Sequence, residues 1–504
     1  TQMARMWQSI AIVAALCLAV AMATPLDDYV NKPDPTYKWE VVNSVRGFNF
    51  TAFNIKLTSQ TWMDPTKVSI SVWTHWLQIC IPDDLPSQIK TALVYIDGGG
   101  NNLAGGLGNP PKEMDTFTGL ICQTAGTVVA HLGQIPNQPI IFASDPAKVH
   151  RSEDAMVAWT WREFLHDTNS PEWLARLPMT KAVVRAMDTI QSFVRQQFFR
   201  SVPTFVVAGA SKRGWTTWTT AAVDKRVAAM IPIVMPMGNM TPLINAMYRV
   251  YGNWSFALQD YINADVMEFL GTPQFDAMEA IIDPVNYYNR WTTLPKYVIA
   301  ACGDEFFLPD STRFFWDQLP HPKVLRMAPN AEHSMLTAPA IDVVYGIDTF
   351  VQRLIRNMAL PTWDFQLTYS NSTASIRAWT TSNYQPTAVY LYQATTLSSV
   401  YRDFRLIRCA HKQWDCLNPV LWHSKALPVA PGQTEWSASV TAPSSGWTGF
   451  LLEAVFPGGY TTGDPLNPDK WIRVTTSVNV VPDRLPFESC ETLHTCQPPI
   501  PWNP

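Results

Sequence analysis

An α/β fold carrying a helical insertion, with a smaller all-β region behind it, is what this 504-residue sequence predicts, and three observations carry the prediction. The first is the stretch Phe205-Val-Val-Ala-Gly-Ala-Ser-Lys-Arg-Gly-Trp215. Its first half has the small and β-branched apolar composition of a strand buried on both faces, and its second half turns at Gly209 and Gly214 into a segment that can be helical. The second is the chain order Ser211, Asp304, His333, with the acid on a loop after a late strand and the histidine ahead of the last helix. The third is a change of character near Pro361, after which short alternating segments replace long helical ones.

The elements follow in order. Arg5 precedes an apolar run from Ile10 to Met22, and Ala21-Met-Ala23 has the small-x-small pattern of a signal-peptidase site. Residues 1–23 therefore read as a signal peptide and the mature, secreted chain as starting at Thr24. No second stretch of about 18 apolar residues follows, so no membrane span is expected in the mature chain. With 47% hydrophobic and 15% charged residues, the chain can bury a large core and should hold about two domains. A net charge of −4 without a basic block gives no reason to expect a nucleic-acid partner.

Export changes how the cysteines are read. Cys409 and Cys416, and Cys490 and Cys496, are close enough in sequence for short disulfide loops; Cys80 and Cys122 are a further candidate pair, and Cys302 is left as a buried thiol. No two C-x-x-C pairs occur, so these cysteines do not predict a zinc site, and no metal or other cofactor is expected. Asn49, Asn239, Asn253 and Asn371 head N-x-[ST] sequons and are candidate glycosylation sites.

From about Tyr37 to Pro82 apolar and polar residues alternate, as in antiparallel strands. Thr91-Ala-Leu-Val-Tyr-Ile96 then reads as a continuous apolar strand running into Asp97-Gly-Gly-Gly-Asn-Asn102. Glycines there let backbone N–H groups face a ligand, so Gly98, Gly99, Gly100 and Asn101 are candidates for an oxyanion hole, together with the Lys212 N–H. Amphipathic helices are expected over Glu153–Leu165 and Thr180–Val194, followed by the Ser211 strand and turn. Met230–Met235 is the next strand, and residues 240–291 are an aromatic, helical insertion where a lid would sit.

A serine on a sharp strand-to-helix turn is the nucleophile elbow of α/β-hydrolases, here in the variant form G-x-S-x-x-G. The plain alternative is a glycine-rich turn whose serine only caps a helix. The conjunction of elbow, glycine loop, acid and histidine in hydrolase order favours a triad: His333 takes the Ser211 proton and Asp304 fixes the imidazole tautomer. Asp310, on the same loop, is the rival acid, with Glu305 behind it.

Glu153-Asp154-Ala155, Leu177-Pro-Met-Thr-Lys181, Ala186-Met-Asp188, Gly209-Ala-Ser-Lys-Arg-Gly-Trp215, Gly303-Asp-Glu-Phe-Phe-Leu-Pro-Asp310 and Pro329-Asn-Ala-Glu-His333 together resemble the PhoPQ-activated pathogenicity-related family, which includes secreted autocrine proliferation repressor-like proteins. The resemblance spans about residues 25–480. It implies an α/β-hydrolase fold, Ser211, Asp304 and His333 at the family's triad positions, and an extracellular restraint on proliferation in eukaryotic members.

Beyond Pro361 the alternating segments predict a β-sandwich over residues 361–482, ahead of a proline-rich tail over 483–504, so the hydrolase domain would cover 24–360. Two readings follow. One is a secreted serine hydrolase acting on an ester or peptide bond of a small-molecule or peptide substrate. The other is a signalling protein on a hydrolase scaffold, acting through surface contacts with a cell-surface receptor.

Overall fold

The computed structural model describes residues 23–88, 90–337, 340–381, 383–409, 416–459 and 470–489. The expected signal peptide up to residue 22, Cys490–Cys496 and the tail beyond residue 489 lie outside the described residues.

The chain opens with helix α1 (Pro25–Asn31), capped by the Thr24 hydroxyl, which accepts from the Asp27 N–H. Strands β1 (Lys38–Gly47), β2 (Phe50–Thr61) and β3 (Val72–Pro82) pair antiparallel in sequence. Then β4 (Thr91–Ile96), α2 (Thr116–Ala125), β5 (Val129–Leu132), α3 (Glu153–His166), α4 (Arg176–Phe198), β6 (Thr204–Ala210), α5 (Lys212–Val223) and β7 (Val227–Ile233) build the centre. The insertion contributes α6 (Met240–Tyr251), α7 (Gln259–Asn263) and α8 (Pro273–Ile282) before β8 (Lys296–Ala301), β9 (Lys323–Ala328) and α9 (Ala340–Ile355).

From β5 the sheet runs β5-β4-β6-β7-β8-β9, all parallel, with helices on both faces. This is the α/β architecture the sequence predicts. Its layering is visible along β6: Phe205 and Val207 enter the core shared with α3, α4 and α5, while Val206 and Ala208 enter the core shared with α2 and α9. All four are fully buried, which is why the strand reads as an unbroken apolar run rather than an alternating one. Cys80 and Cys122 form a disulfide that ties β3 to α2, a second disulfide joins Cys409 and Cys416, and Cys302 is a buried free thiol.

The C-terminal region differs from a separately appended module. Strands β10 (Asp364–Thr368), β11 (Thr373–Trp379) and β14 (Glu435–Thr441) make a small antiparallel sheet. The layer facing it holds β12 (Ala388–Thr395), β13 (His423–Leu427), β15 (Thr448–Pro457), β16 (Trp471–Thr475) and β17 (Asn479–Val481). It continues the central sheet, because β16 meets β9 antiparallel at Thr475 and Leu325. The physical reason lies at that junction. Glu453 on β15 is fully buried and is held by both Arg326 on β9 and Arg473 on β16. A buried charge must be paired, and here the pairing fastens the all-β region to the open edge of the α/β sheet.

The sequons sit differently from one another. Asn49, in the β1–β2 turn, and Asn371 are exposed, and Asn253 is half-buried. Asn239 is half-buried, and its side-chain nitrogen donates to the Phe314 carbonyl at 2.5 Å.

Candidate active site

Ser211 stands between β6 and α5 with φ 56° and ψ −124°, a backbone conformation that costs energy for any side chain but glycine. The turn is held by the Ser211 N–H, which donates to the Ile233 carbonyl on β7 at 2.9 Å. Its two glycines are required by close approach. A Cβ on Gly209 would stand 2.7 Å from the Arg213 carbonyl oxygen, and one on Gly214 2.8 Å from the Met235 Cβ. The spacing G-x-S-x-x-G therefore follows from geometry: Gly214, one place later than usual, is the residue that passes against the end of β7.

His333 bridges serine and acid. Its Nε2 lies 2.8 Å from Ser211 Oγ, and its Nδ1 lies 2.9 Å from both carboxylate oxygens of Asp304. Asp304 is nearly inaccessible and also accepts the N–H groups of Phe306 and Phe307 at 2.7 and 3.2 Å, which aims it at the imidazole. Phe306 packs on the ring at 4.4 Å between centroids. Burial pulls the His333 pKa down, but the charge and hydrogen bonds of Asp304, with help from Glu305, outweigh it, and the net direction is upward. Glu305 itself is pushed up to about 7 by burial and by the neighbouring Asp304 charge. Its carboxylate accepts the His333 N–H at 2.9 Å, so it supports the histidine's backbone.

The rival acid is excluded by its partners. Asp310 is buried against Arg402, which donates to both its oxygens at 2.6 and 2.7 Å, and it does not face His333. Histidine contacts alone are a weak guide: Ser59 and His75 also meet, at 2.9 Å, but both are fully buried and His75 turns its other nitrogen to backbone carbonyls. Burial drives the His75 pKa down to about 4, which marks it as a neutral core residue.

The glycine loop lies level with the elbow, since β4 and β6 pair Ile96 with Gly209. Only part of the expected donor set is free. The Gly98 N–H donates to Asp97 Oδ1 at 2.7 Å and the Asn101 N–H to the Gln138 carbonyl at 2.6 Å. Those two are corrected to structural roles, and the loop's remaining donors are Gly99, which has φ 95°, and Gly100. Lys212 opens α5, so its N–H has no carbonyl partner within the helix.

The sequence reading missed how the loop is fastened to the elbow. Arg213 reaches under the loop, donates to the Ile135 carbonyl at 2.5 Å and makes a two-pronged pair with Glu153 at 2.7 and 2.8 Å. Gly98 is glycine because a Cβ there would stand 2.5 Å from that guanidinium. Burial opposes the charge on Glu153, but Arg213 and Lys212 outweigh it and hold the carboxyl at about 2. Lys212 Nζ pairs with Asp154 at 2.6 Å, and the Tyr261 hydroxyl donates to the same carboxylate at 3.1 Å. The adjacent Glu153-Asp154 and Lys212-Arg213 pairs were the available signal.

Beside Ser211 and His333 opens a narrow cavity of about 60 Å³. Met235 and Met237 after β7, Met240 and Met247 of α6, and Met267 line it, with Trp161, Trp215 and Phe307. Such a wall suits an apolar group and, being rich in methionine, can adapt its shape. Among the described residues no group of three or more His, Cys, Asp or Glu could hold a metal ion, and no helix is long and apolar enough to cross a membrane.

Residues 26–405 match the profile of a family described as PhoPQ-activated pathogenicity-related protein. Autocrine proliferation repressor protein A of Dictyostelium discoideum is 43% identical over 485 residues, which is 95% of this chain and 94% of that protein. Among solved structures, acetyl xylan esterase 1 from Thermoanaerobacterium sp. has a TM-score of 0.43 at 14% identity, over 65% of this chain and 93% of the esterase. An acetyl xylan esterase from Paenibacillus sp. R4 has a TM-score of 0.42 at 16% identity, over 66% and 92% respectively.

Proposed function

Because the chain belongs to the PhoPQ-activated pathogenicity-related family, we propose that it is a secreted serine hydrolase on an α/β-hydrolase scaffold, cleaving an ester or peptide bond with Ser211, His333 and Asp304. The observation that carries this reading is the imidazole of His333, in hydrogen-bond reach of Ser211 Oγ on one side and of Asp304 on the other, beside an apolar cavity.

In this mechanism Ser211 Oγ attacks the substrate carbonyl carbon while His333 Nε2 accepts its proton. Asp304 holds the Nδ1–H tautomer and stabilises the imidazolium. The developing oxyanion takes hydrogen bonds from the N–H groups of Lys212, Gly99 and Gly100. His333 returns the proton to the leaving group, and water then hydrolyses the acyl-serine by the same route in reverse. The helical insertion over residues 240–291 acts as a lid, and the disulfides fit an oxidising, extracellular compartment.

The test is labelling of the purified protein with a fluorophosphonate. One label per chain is expected on Ser211, absent in Ser211→Ala, and turnover of an activated ester should fall by about four to six orders of magnitude. A folded wild-type protein that takes no label would sink the hydrolase reading.

A second reading rests on the 43% identical Dictyostelium relative, whose name is that of a proliferation repressor. In it the chain is an extracellular signal acting through surface contacts with a receptor. Purified Ser211→Ala protein that still restrains proliferation would assign the signal to the surface, and its loss would assign it to the chemistry.

A further inference from the structure

A second cavity, outside the hydrolase site, has the opposite character. It has a volume of about 540 Å³ and opens between α6, the loop that follows Asp304, and the segment Asp483–Leu485. Four arginines line it, Arg249, Arg313, Arg402 and Arg484, against two aspartates, Asp310 and Asp483. Two positive charges are therefore left without a counter-charge from the cleft's own wall.

The arginine at its base is the informative one. The Arg402 side chain is 1% exposed, and one of its nitrogens serves both oxygens of Asp310. Its Nε and its other terminal nitrogen are buried without a hydrogen-bond partner. A buried guanidinium with unmet donors is costly unless something accepts them, and a roomy cavity at its side is where an acceptor can come from. The neighbouring cations are held in orientation. Arg313 donates to Asp483 at 3.0 Å and lies over the Tyr369 ring, Arg249 donates to the Phe487 carbonyl at 3.3 Å, and Arg484 lies over the Trp447 ring.

We propose that this cleft binds a sulfate or phosphate group, either as the free ion or as the monoester of a sugar. Planar guanidinium forks match tetrahedral oxyanions, and several converging arginines favour a dianion over a carboxylate. A cavity of this size is larger than a bare sulfate needs, so it leaves room for a sugar ring that the ester would carry. The site is continuous with the hydrolase through one helix. Pro242, Asn245, Ala246 and Arg249 of α6 face the cleft, while Leu243, Ile244 and Met247 of the same helix line the apolar cavity beside Ser211.

The test is titration calorimetry at fixed ionic strength in chloride, with inorganic sulfate, inorganic phosphate, N-acetylglucosamine 6-sulfate, N-acetylglucosamine 6-phosphate and N-acetylglucosamine. One saturable site per chain is expected for the anionic probes and none for the neutral sugar. Tighter binding of the sugar esters identifies an ester as the ligand, and equal or tighter binding of the bare ions identifies the free ion. Replacing Arg402 leaves buried Asp310 with only the more distant Arg313, at 3.6 Å, so the informative variants are Arg249→Gln and Arg313→Gln at the cleft's more open side. Each should weaken binding about ten-fold, Arg249→Gln with the thermal midpoint nearly unchanged and Arg313→Gln with a lower one, since it also pairs with Asp483 and Asp310. Ser211→Ala should bind as the wild type does. Absence of saturable binding by every anion, or binding that neither arginine variant alters, overturns the proposal; this outcome is independent of fluorophosphonate labelling at Ser211.

Discussion

Helix α6 separates two cavities that share a wall and little else. On one side methionine, tryptophan and phenylalanine surround Ser211 and His333; on the other, arginines and aspartates surround a larger, polar space. The helix manages both because its residues alternate between faces at the helical period, with 243, 244 and 247 on one and 242, 245, 246 and 249 on the other. The same division runs through the loop after β8. Asp304 turns to His333 and Asp310, six residues on, turns to Arg402, so two chemically identical side chains hold unrelated positions. The difference teaches that an acid's role here is set by which cation or ring the rest of the chain brings to it.

That contrast can be broken most sharply with one substitution made twice. Asp304→Asn should lower kcat by about four orders of magnitude and change stability little, because the wrong imidazole tautomer is then favoured while the shape is kept. Asp310→Asn should leave the hydrolytic rate constant within a few-fold of wild type and instead destabilise the fold by about 3 to 5 kcal/mol, since it strips the charge partner of buried Arg402. Parallel ester assays and urea unfolding of the two variants check this. Equal kinetic losses would mean that Asp310 serves the chemistry after all.

A smaller effect sharpens the hydrolase side alone. The base must be neutral to accept a proton, and Asp304 raises the pKa of His333 despite its burial. The acid limb of the kcat/KM profile should therefore lie above the ordinary histidine value of about 6.5, with activity lost as pH falls through it. Glu305→Gln removes a second acid whose own carboxyl, pushed up to about 7, is partly ionised there, and should move the limb to lower pH by less than a full charge would. Stability has the opposite sign. A raised His333 pKa means that the folded state binds more protons, so this contribution is present below about pH 6.5 and is lost as pH rises through the folded value. A pH profile unmoved by Glu305→Gln would remove that residue from the histidine's electrostatics.

The smallest expected change separates the two faces of α6 directly. Met247→Ala should alter the preference among ester chain lengths by about ten-fold while leaving sulfate binding as it was. Asn245→Ala, on the other face, should spare the ester series and change only the anion titration. Ester series and calorimetry on both variants read the separation, and crossed effects would show that the cavities are not independent.

Much of this is legible in the sequence. The β6 strand, its turn and α5 could be read because their residues answer to local rules: an apolar run, two glycines, then a helical segment. Several elements were not, and two show why. Lys323–Ala328 carries Arg326 at a buried place, which interrupts the apolar pattern of a central strand, and its excuse is Glu453, far off in sequence. Helix α2 is built from Thr116-Phe-Thr-Gly-Leu-Ile-Cys-Gln-Thr-Ala125, in which three threonines and a glycine weaken the helical signal, and it is held by the Asp115 cap and the Cys80–Cys122 bond. The elbow's charged underpinning, Arg213 with Glu153 and Lys212 with Asp154, was present as two dipeptides whose pairing no spacing rule could give.

The sequence by itself determined the α/β class, because that depends on turn chemistry and periodic burial, and its motifs carried the resemblance to the family; it offered Ser211 and His333 as candidates, with Asp304 and Asp310 as rival acids. The tertiary structure decided which acid meets the histidine, which loop N–H groups remain free, that the all-β region extends the central sheet, and that four arginines converge behind α6. Apart from the Gly98 N–H, which its neighbour Asp97 takes, those outcomes are choices among partners separated by tens to hundreds of residues. Such choices are made by packing, since a buried charge or donor takes whichever complementary group the fold brings within about 3 Å.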